Sequence, residues 1–238
     1  MADPAFCFEN VTKRFGQMEA LKGLTLAVPR GGVTGFVGRN GSGKSTAIRC
    51  LVGLQKPDGG RVALLGEDPW DMGPATKRRL GYLSERGVPF PWATADDLIG
   101  LCAPLYPQWD DAVERDLLTR FRIDRRRKLK TLSMGQQRAV GLLLALCPRP
   151  EVLVLDEPAA NLDPVLRREF LDQVAALVAG SGHTVFFTSH ILSDVERLAD
   201  RIAILHEGRL VMAGAMSELK ACSGGLEALF LDLVGKPS

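Results

Sequence analysis

The chain has 238 residues, with 30 Lys and Arg against 28 Asp and Glu, a formal net charge of +2, 46% apolar and 24% charged residues. These proportions belong to an ordinary globular protein and exclude a disordered chain, a collagen-like repeat and a disulfide scaffold; the near-neutral charge leaves no electrostatic footprint for nucleic acid. The longest strongly apolar run, Ala139 to Cys147, is far short of the roughly twenty residues a membrane-spanning helix needs, and the acidic opening MADPAFCFEN does not read as a signal peptide.

Phe6–Phe15, Leu21–Val28, Val33–Val37 and Arg61–Leu65 read as strands with few helices between them, so part of this region is expected to form an antiparallel sheet. A helix is expected over Gly43–Leu54, directly after a glycine-rich turn. A strand follows at Leu80–Leu83, and then prolines cluster at Pro89, Pro91, Pro104 and Pro107 around expected helices at Thr94–Cys102 and Asp110–Phe121. In the second of these, Val113, Leu117, Leu118 and Phe121 recur at helical spacing. Beyond it come a strand at Glu151–Leu155, a helix at Pro164–Val178 with proline suited to its first turn, a strand at His183–Thr188 and a helix near Ser193–Leu198. Ile202–Leu205 and Arg209–Met212 flank His206-Glu207-Gly208 as a hairpin, and a last helix is expected at Gly225–Val234. Strands alternating with helices indicate an α/β fold with a mainly parallel sheet, interrupted by a helical insertion. The expected organisation is one domain over 1–238: a core of 1–83 and 151–215 with the antiparallel β subdomain at its start, a helical subdomain over 84–150, and a short helical tail over 216–238. The five cysteines, Cys7, Cys50, Cys102, Cys147 and Cys222, are widely spaced with no C-x-x-C pair, which reads as reduced thiols rather than a zinc or redox site.

Gly38-Arg39-Asn40-Gly41-Ser42-Gly43-Lys44-Ser45, followed by Thr46, matches G-x-x-x-x-G-K-[ST] between an apolar strand and a helix, the context the motif requires. The glycines let successive backbone N–H groups converge on phosphate oxygens, and the helix N-terminus adds its positive dipole end. Lys44 supplies a full charge to the β- and γ-phosphates, and Ser45 a hydroxyl oxygen to Mg²⁺. Downstream, the apolar strand Val152-Leu153-Val154-Leu155 delivers Asp156 and Glu157 at its C-terminal edge, where parallel sheets bind ligands. Asp156 suits Mg²⁺, directly or through water, and Glu157 suits the role of general base toward an attacking water.

Leu132-Ser133-Met134-Gly135-Gln136 lies ahead of this strand, just before an apolar helix. With Ala160-Asn161-Leu162-Asp163 after the acidic pair, Thr188-Ser189-His190 after the next strand, and Phe15-Gly16 near the N-terminus, the chain resembles the ATP-binding cassette (ABC) ATPases from Phe15 to about Val211. The resemblance implies the P-loop NTPase core with antiparallel and helical subdomains. It also implies ATP and Mg²⁺ as cofactors and a head-to-tail dimer with a second ABC ATPase chain, a homodimer by expectation. In that dimer each ATP is held by the phosphate loop of one chain and the Ser133, Met134, Gly135 and Gln136 signature of the other. Phe15 is then the adenine-stacking residue, Asp163 the D-loop acid, and His190 the switch residue that positions the γ-phosphate and the attacking water. Lys44, Glu157 and His190 form the catalytic set.

Two positions depart from the family pattern. Glu85 stands where a Q-loop glutamine is expected; a carboxylate keeps an acceptor oxygen for Mg²⁺ but lacks the amide donor. Met134 replaces the first glycine of LSGGQ, a substitution found in cassettes of the ABC-2 exporter type. The resemblance further implies a separate membrane-spanning transporter subunit and a cytoplasmic chain held peripherally at the membrane through it. The apolar stretch Pro89-Phe90-Pro91-Trp92 is either a packing turn or the surface that meets that subunit. The basic run Arg125-Arg126-Arg127-Lys128 reads most simply as a solvated face. An ABC ATPase serving a soluble complex, such as Fe–S cluster assembly, is the alternative; a P-loop kinase is disfavoured by the signature and His190.

Overall fold

The computed structural model describes residues 3–179, 182–220 and 225–234. The chain divides into two compact units, Met1–Thr76 with Thr184–Ser238, and Lys77–His183.

In the first unit, β1 (Phe6–Phe15) lies between β2 (Met18–Val28) and β4 (Gly59–Leu64) in an antiparallel sheet. This is the antiparallel sheet expected from the N-terminal strands. β3 (Gly32–Val37) is drawn out of it by the core: it runs parallel to both β7 (Thr184–Ser189) and β8 (Arg201–His206), and β9 (Arg209–Ala215) closes that edge antiparallel to β8. Phe186 joins the two sheets, packing edge-on against Phe6 of β1 at 4.9 Å and tilted against Phe36 of β3 at 5.2 Å between ring centroids. All three rings are buried, so each adds specific aromatic geometry to its area of burial. Helices α1 (Lys44–Leu51), α2 (Pro74–Lys77), α7 (Leu192–Leu198), α8 (Met216–Lys220) and α9 (Gly225–Val234) complete the unit.

α1 ends at Leu51 rather than running to Leu54. The N–H groups of Leu54 and Gln55 both turn back to the Arg49 carbonyl, at 2.9 and 3.1 Å, around Gly53 at φ +72°. β4 begins two residues before the expected Arg61, and β7 is shifted one residue on, to Thr184–Ser189.

In the second unit, β5 (Leu80–Leu83) and β6 (Val152–Leu155) pair in parallel, Leu83 opposite Leu155. α5 (Met134–Leu146) packs on β5, and α3 (Ala95–Cys102), α4 (Asp111–Arg120) and α6 (Pro164–Val178) pack on α5. Thr94 caps α3 and Asp110 caps α4, each side chain accepting backbone N–H groups of its helix. Phe121 packs on Phe170 with centroids 5.7 Å apart. The basic run is not uniformly solvated. Arg125 pairs with the nearly buried Glu114 at 3.0 Å and with Asp96, and Trp109 Nε1 donates to the other Glu114 oxygen at 2.7 Å.

Cys7, Cys50, Cys102 and Cys147 are free thiols. Burial pushes the Cys50 thiol up to about 11 and raises Cys147 as well, so neither is poised as a thiolate at neutral pH. Cys222 lies outside the described residues. No described helix is long and apolar enough to cross a membrane.

Candidate functional site: a phosphate loop and an acidic strand end

The phosphate loop leaves the C-terminal end of β3 and runs into α1. Gly43 takes the cap position of α1 in the left-handed conformation, φ 107° and ψ 1°, and no side chain caps the helix. The first N–H groups of α1 therefore face the loop rather than a side-chain oxygen. A side chain at Gly43 would stand 2.5 Å from the Ala20 carbonyl of β2, so only glycine permits this close approach. Lys44 is 6% exposed. Its ammonium curls over the loop and donates to the Gly38 carbonyl at 2.6 Å and the Arg39 carbonyl at 3.3 Å. Ser42 N–H closes a turn onto Arg39 at 3.1 Å. The Ser42 hydroxyl is buried and has no hydrogen-bond partner among the described residues, a donor left for a ligand. Arg39, Asn40 and Gly41 form the exposed rim, and Ser45 and Thr46 open the first turn of α1, half-buried.

The loop rests on a support that sequence reading took for a plain hairpin. Gly208, at the β8–β9 turn with φ +80°, donates its N–H to the Ser42 carbonyl at 2.9 Å and accepts from Lys22 of β2 at 2.8 Å. The signal was the glycine in His206-Glu207-Gly208; its distance in sequence from Ser42 hid the contact.

His190 follows β7 directly. Ser189 lies opposite Val37 in the parallel register, so His190 and Gly38 leave the sheet at the same edge. The bend is held by Ser189 Oγ, which accepts the Ile191 N–H at 3.0 Å. His190 is exposed. Phe15 ends β1 with its ring 41% exposed and Lys13 Nζ 5.9 Å from its centroid. It is not part of the core, which leaves a face open for stacking.

In the second unit, Asp156 and Glu157 end β6, and both are buried. Asp156 N–H donates to the Leu83 carbonyl of β5 at 2.8 Å. Glu157 is held at φ +46° and Asn161 at φ +63°, a left-handed conformation unusual for either residue, in a loop closed by Ala160 N–H on the Glu157 carbonyl at 3.0 Å. Asp163 caps α6, accepting from Val165 and Leu166 N–H at 3.0 and 3.1 Å, with Pro164 in the first turn. Glu85 is exposed in the turn after β5.

The signature segment is built on the cap of α5. Ser133 Oγ accepts from Gln136 N–H at 3.2 Å, and Gln136 Oε1 accepts from Ser133 N–H at 3.0 Å, a reciprocal capping box. Gln137 N–H is taken by the Ser133 carbonyl at 2.9 Å, which leaves the Met134 and Gly135 N–H groups at the open end of the helix. Accepting uses a lone pair, so the Ser133 hydroxyl keeps its proton for a ligand. The Gln136 amide is committed inside the chain: Nε2 donates to the Phe121 and Arg122 carbonyls at 3.2 and 3.0 Å. Met134 is 46% exposed beside them.

The first unit carries a helix end with no side-chain cap beside a buried ammonium, which suits an anion, and the second a strand end with two buried carboxyl groups, which suits a cation or a general base. The family model described as ABC transporter matches residues 21–160. The chain is 38% identical over 236 residues to the daunorubicin resistance ATP-binding protein DrrA3 of Streptomyces coeruleorubidus, covering 94% of this chain and 72% of that protein. It is 32% identical over 213 residues to the bacitracin transport ATP-binding protein BcrA of Bacillus licheniformis, covering 89% and 70%. Among the curated relatives, the chain spans 61% to 72% of their lengths. A solved structure titled as the ATP binding subunit of an ABC transporter superposes with a TM-score of 0.84 at 26% identity, over 96% of this chain and 99% of that one.

Proposed function

The chain belongs to the ABC transporter family as an ATP-binding ATPase subunit, and on that premise we propose that it works as a head-to-tail homodimer driving a separate membrane-spanning subunit of a bacterial exporter. The observation that carries the ATP reading is the preformed phosphate loop, with Lys44 already curled onto Gly38 over an uncapped helix end. The relatives named for daunorubicin resistance and bacitracin transport support export. Nothing in the comparisons supports Fe–S cluster assembly.

Lys44 and the backbone N–H groups of the loop, apart from that of Ser42, hold the β- and γ-phosphates, with the Ser42 hydroxyl as a further donor. Phe15 stacks on adenine. Glu157 takes a proton from the water that attacks the γ-phosphorus, while the bond from that phosphorus to the β,γ-bridging oxygen breaks and its electron pair leaves on ADP. His190 and Asp163 orient the γ-phosphate and the water. Ser133, through its hydroxyl, and Met134 and Gly135, through their N–H groups, complete the phosphate contacts of the other chain. Gln136 supports that end of α5 from behind.

Among the described residues, no three acidic, imidazole or thiol groups cluster into a metal cage. Ser45 would offer Mg²⁺ a hydroxyl oxygen, and Asp156 and Glu85 would offer carboxylates, the donor types it takes beside nucleotide phosphates. Bound with ATP, Mg²⁺ neutralises the charge that builds on the phosphate oxygens.

Phe90 and Trp92 carry the partner reading. Their rings meet edge-on at 5.8 Å, and both are exposed, 40% and 65%. Exposed paired aromatics suit an interface anchor better than a packing turn. The attachment they provide would hold the chain at the cytoplasmic face. The tagged chain should co-purify from detergent-solubilised membranes of its source with a polypeptide carrying several apolar spans. Replacing both rings (Phe90→Ser with Trp92→Ser) should cut that recovery about tenfold or more, as the loss of an aromatic hot spot does, with ATP affinity unchanged. Equal recovery would remove these rings from the interface.

A further inference from the structure

Arg138 stands among the apolar residues of α5, a little over one turn beyond Ser133, and is only 3% exposed. A guanidinium taken out of water is costly unless its donors and its charge are answered. Its Nη1 donates to the Ser84 carbonyl at 2.9 Å. That carbonyl opens the turn that carries Glu85: it also accepts Gly87 N–H at 2.9 Å, and Ser84 Oγ donates to the Gly87 carbonyl at 3.0 Å. One residue earlier, the Leu83 carbonyl accepts the Asp156 N–H at 2.8 Å. Two consecutive carbonyls at the end of β5 therefore tie down the signature helix and the acidic strand end. Three residues beyond Arg138 on α5, Gly141 brings the helix backbone against β5; a Cβ there would stand 2.6 Å from Leu83 Cδ1.

The charges agree with the geometry. Burial lowers the Arg138 pKa from its usual value, and the carboxylates of Glu85 and Asp156 push it back up.

We propose that Arg138 is a positioning residue for ATP hydrolysis, pinning the turn that carries Glu85 to the signature helix through the Ser84 carbonyl. The proposal rests on the ATPase reading above. Docking of the signature on a γ-phosphate would pull on α5, and Arg138 carries that pull to the turn of Glu85.

The test uses the full chain as R138K, R138M, E85Q and E85Q/R138M. The readouts are kcat, KM for ATP, the Mg²⁺ concentration for half-maximal rate, affinity for a fluorescent ATP analogue without Mg²⁺, and deuterium exchange over residues 84–92 without nucleotide. R138M should lower kcat about tenfold or more while analogue affinity moves less than about threefold, the signature of a group that acts on the chemical step. It should also raise the Mg²⁺ requirement and speed exchange of the turn amides about tenfold. R138K should recover part of kcat, because an ammonium restores the charge but not the planar fork. E85Q and R138M should couple, the double variant falling no further than the worse single one within about twofold. Losses that multiply, or unchanged exchange in the turn, would overturn the proposal. If R138M loses its fold, R138K carries the same exchange and coupling measurements with E85Q. A wild-type chain that turns over no ATP would instead overturn the ATPase reading, and the exchange data would still decide whether Arg138 holds the turn.

Discussion

Glu157→Gln is expected to leave ATP bound and slow its hydrolysis by about a hundred-fold or more, the range for loss of a catalytic base. The substitution keeps the size of the side chain and one acceptor oxygen, and removes the negative charge and with it the capacity to take up a proton. Glu157 is buried at the end of β6 with its backbone at φ +46°, so the loop already determines where the carboxylate stands and an amide inherits that placement. Burst measurements with radiolabelled ATP would separate the slowed chemical step from binding. Turnover within about threefold of wild type would remove Glu157 from the base role.

Lys44→Ala is expected to fail earlier in the cycle, at binding. The ammonium is buried and curled onto the Gly38 and Arg39 carbonyls. Phosphate would exchange those neutral acceptors for charged ones, and hydrogen bonds to charged groups contribute about 1.5–3 kcal/mol each. Alanine loses the charge and also the contacts that curl the loop, so the affinity for ATP should fall about thirty-fold or more, seen directly by calorimetry. Affinity retained within a few-fold would mean that the loop N–H groups alone hold the phosphates. The two variants are thus distinguished by readout: Glu157→Gln moves kcat and Lys44→Ala moves the dissociation constant.

Much of the architecture is legible in the sequence because the decisive signals are local. α6 runs over Pro164–Val178 as read, since Asp163 and Pro164 mark its start with cap and first-turn chemistry. β5 is a short apolar run, and the capping residues Thr94 and Asp110 announce α3 and α4. The phosphate loop is legible for the same reason: glycines, lysine and serine act within a single turn of chain. The signals fail where structure depends on distance. α2 and α8, of four and five residues, are too short to show a period. The overlong reading of α1 missed the competition for the Arg49 carbonyl at its end. Arg125 belongs to a charged run in sequence, but its partners Asp96 and Glu114 are supplied by α3 and α4. Gly208 and Arg138 are the clearest cases. Their partners, Ser42 and Ser84, are remote in sequence, and the only local hint for Arg138 was a charge directly before an apolar run.

On the proposed function, ATP joins two copies of this chain, each completing the other's site through Ser133 and Gly135. This joining is tested most directly by sedimentation of the Glu157→Gln variant with and without ATP, because blocked hydrolysis preserves any ATP-bound assembly. The expected result is the mass of one chain without nucleotide and of two chains with saturating ATP and Mg²⁺. A mass of one chain under saturating ATP, in a variant shown to bind it, would contradict that joining.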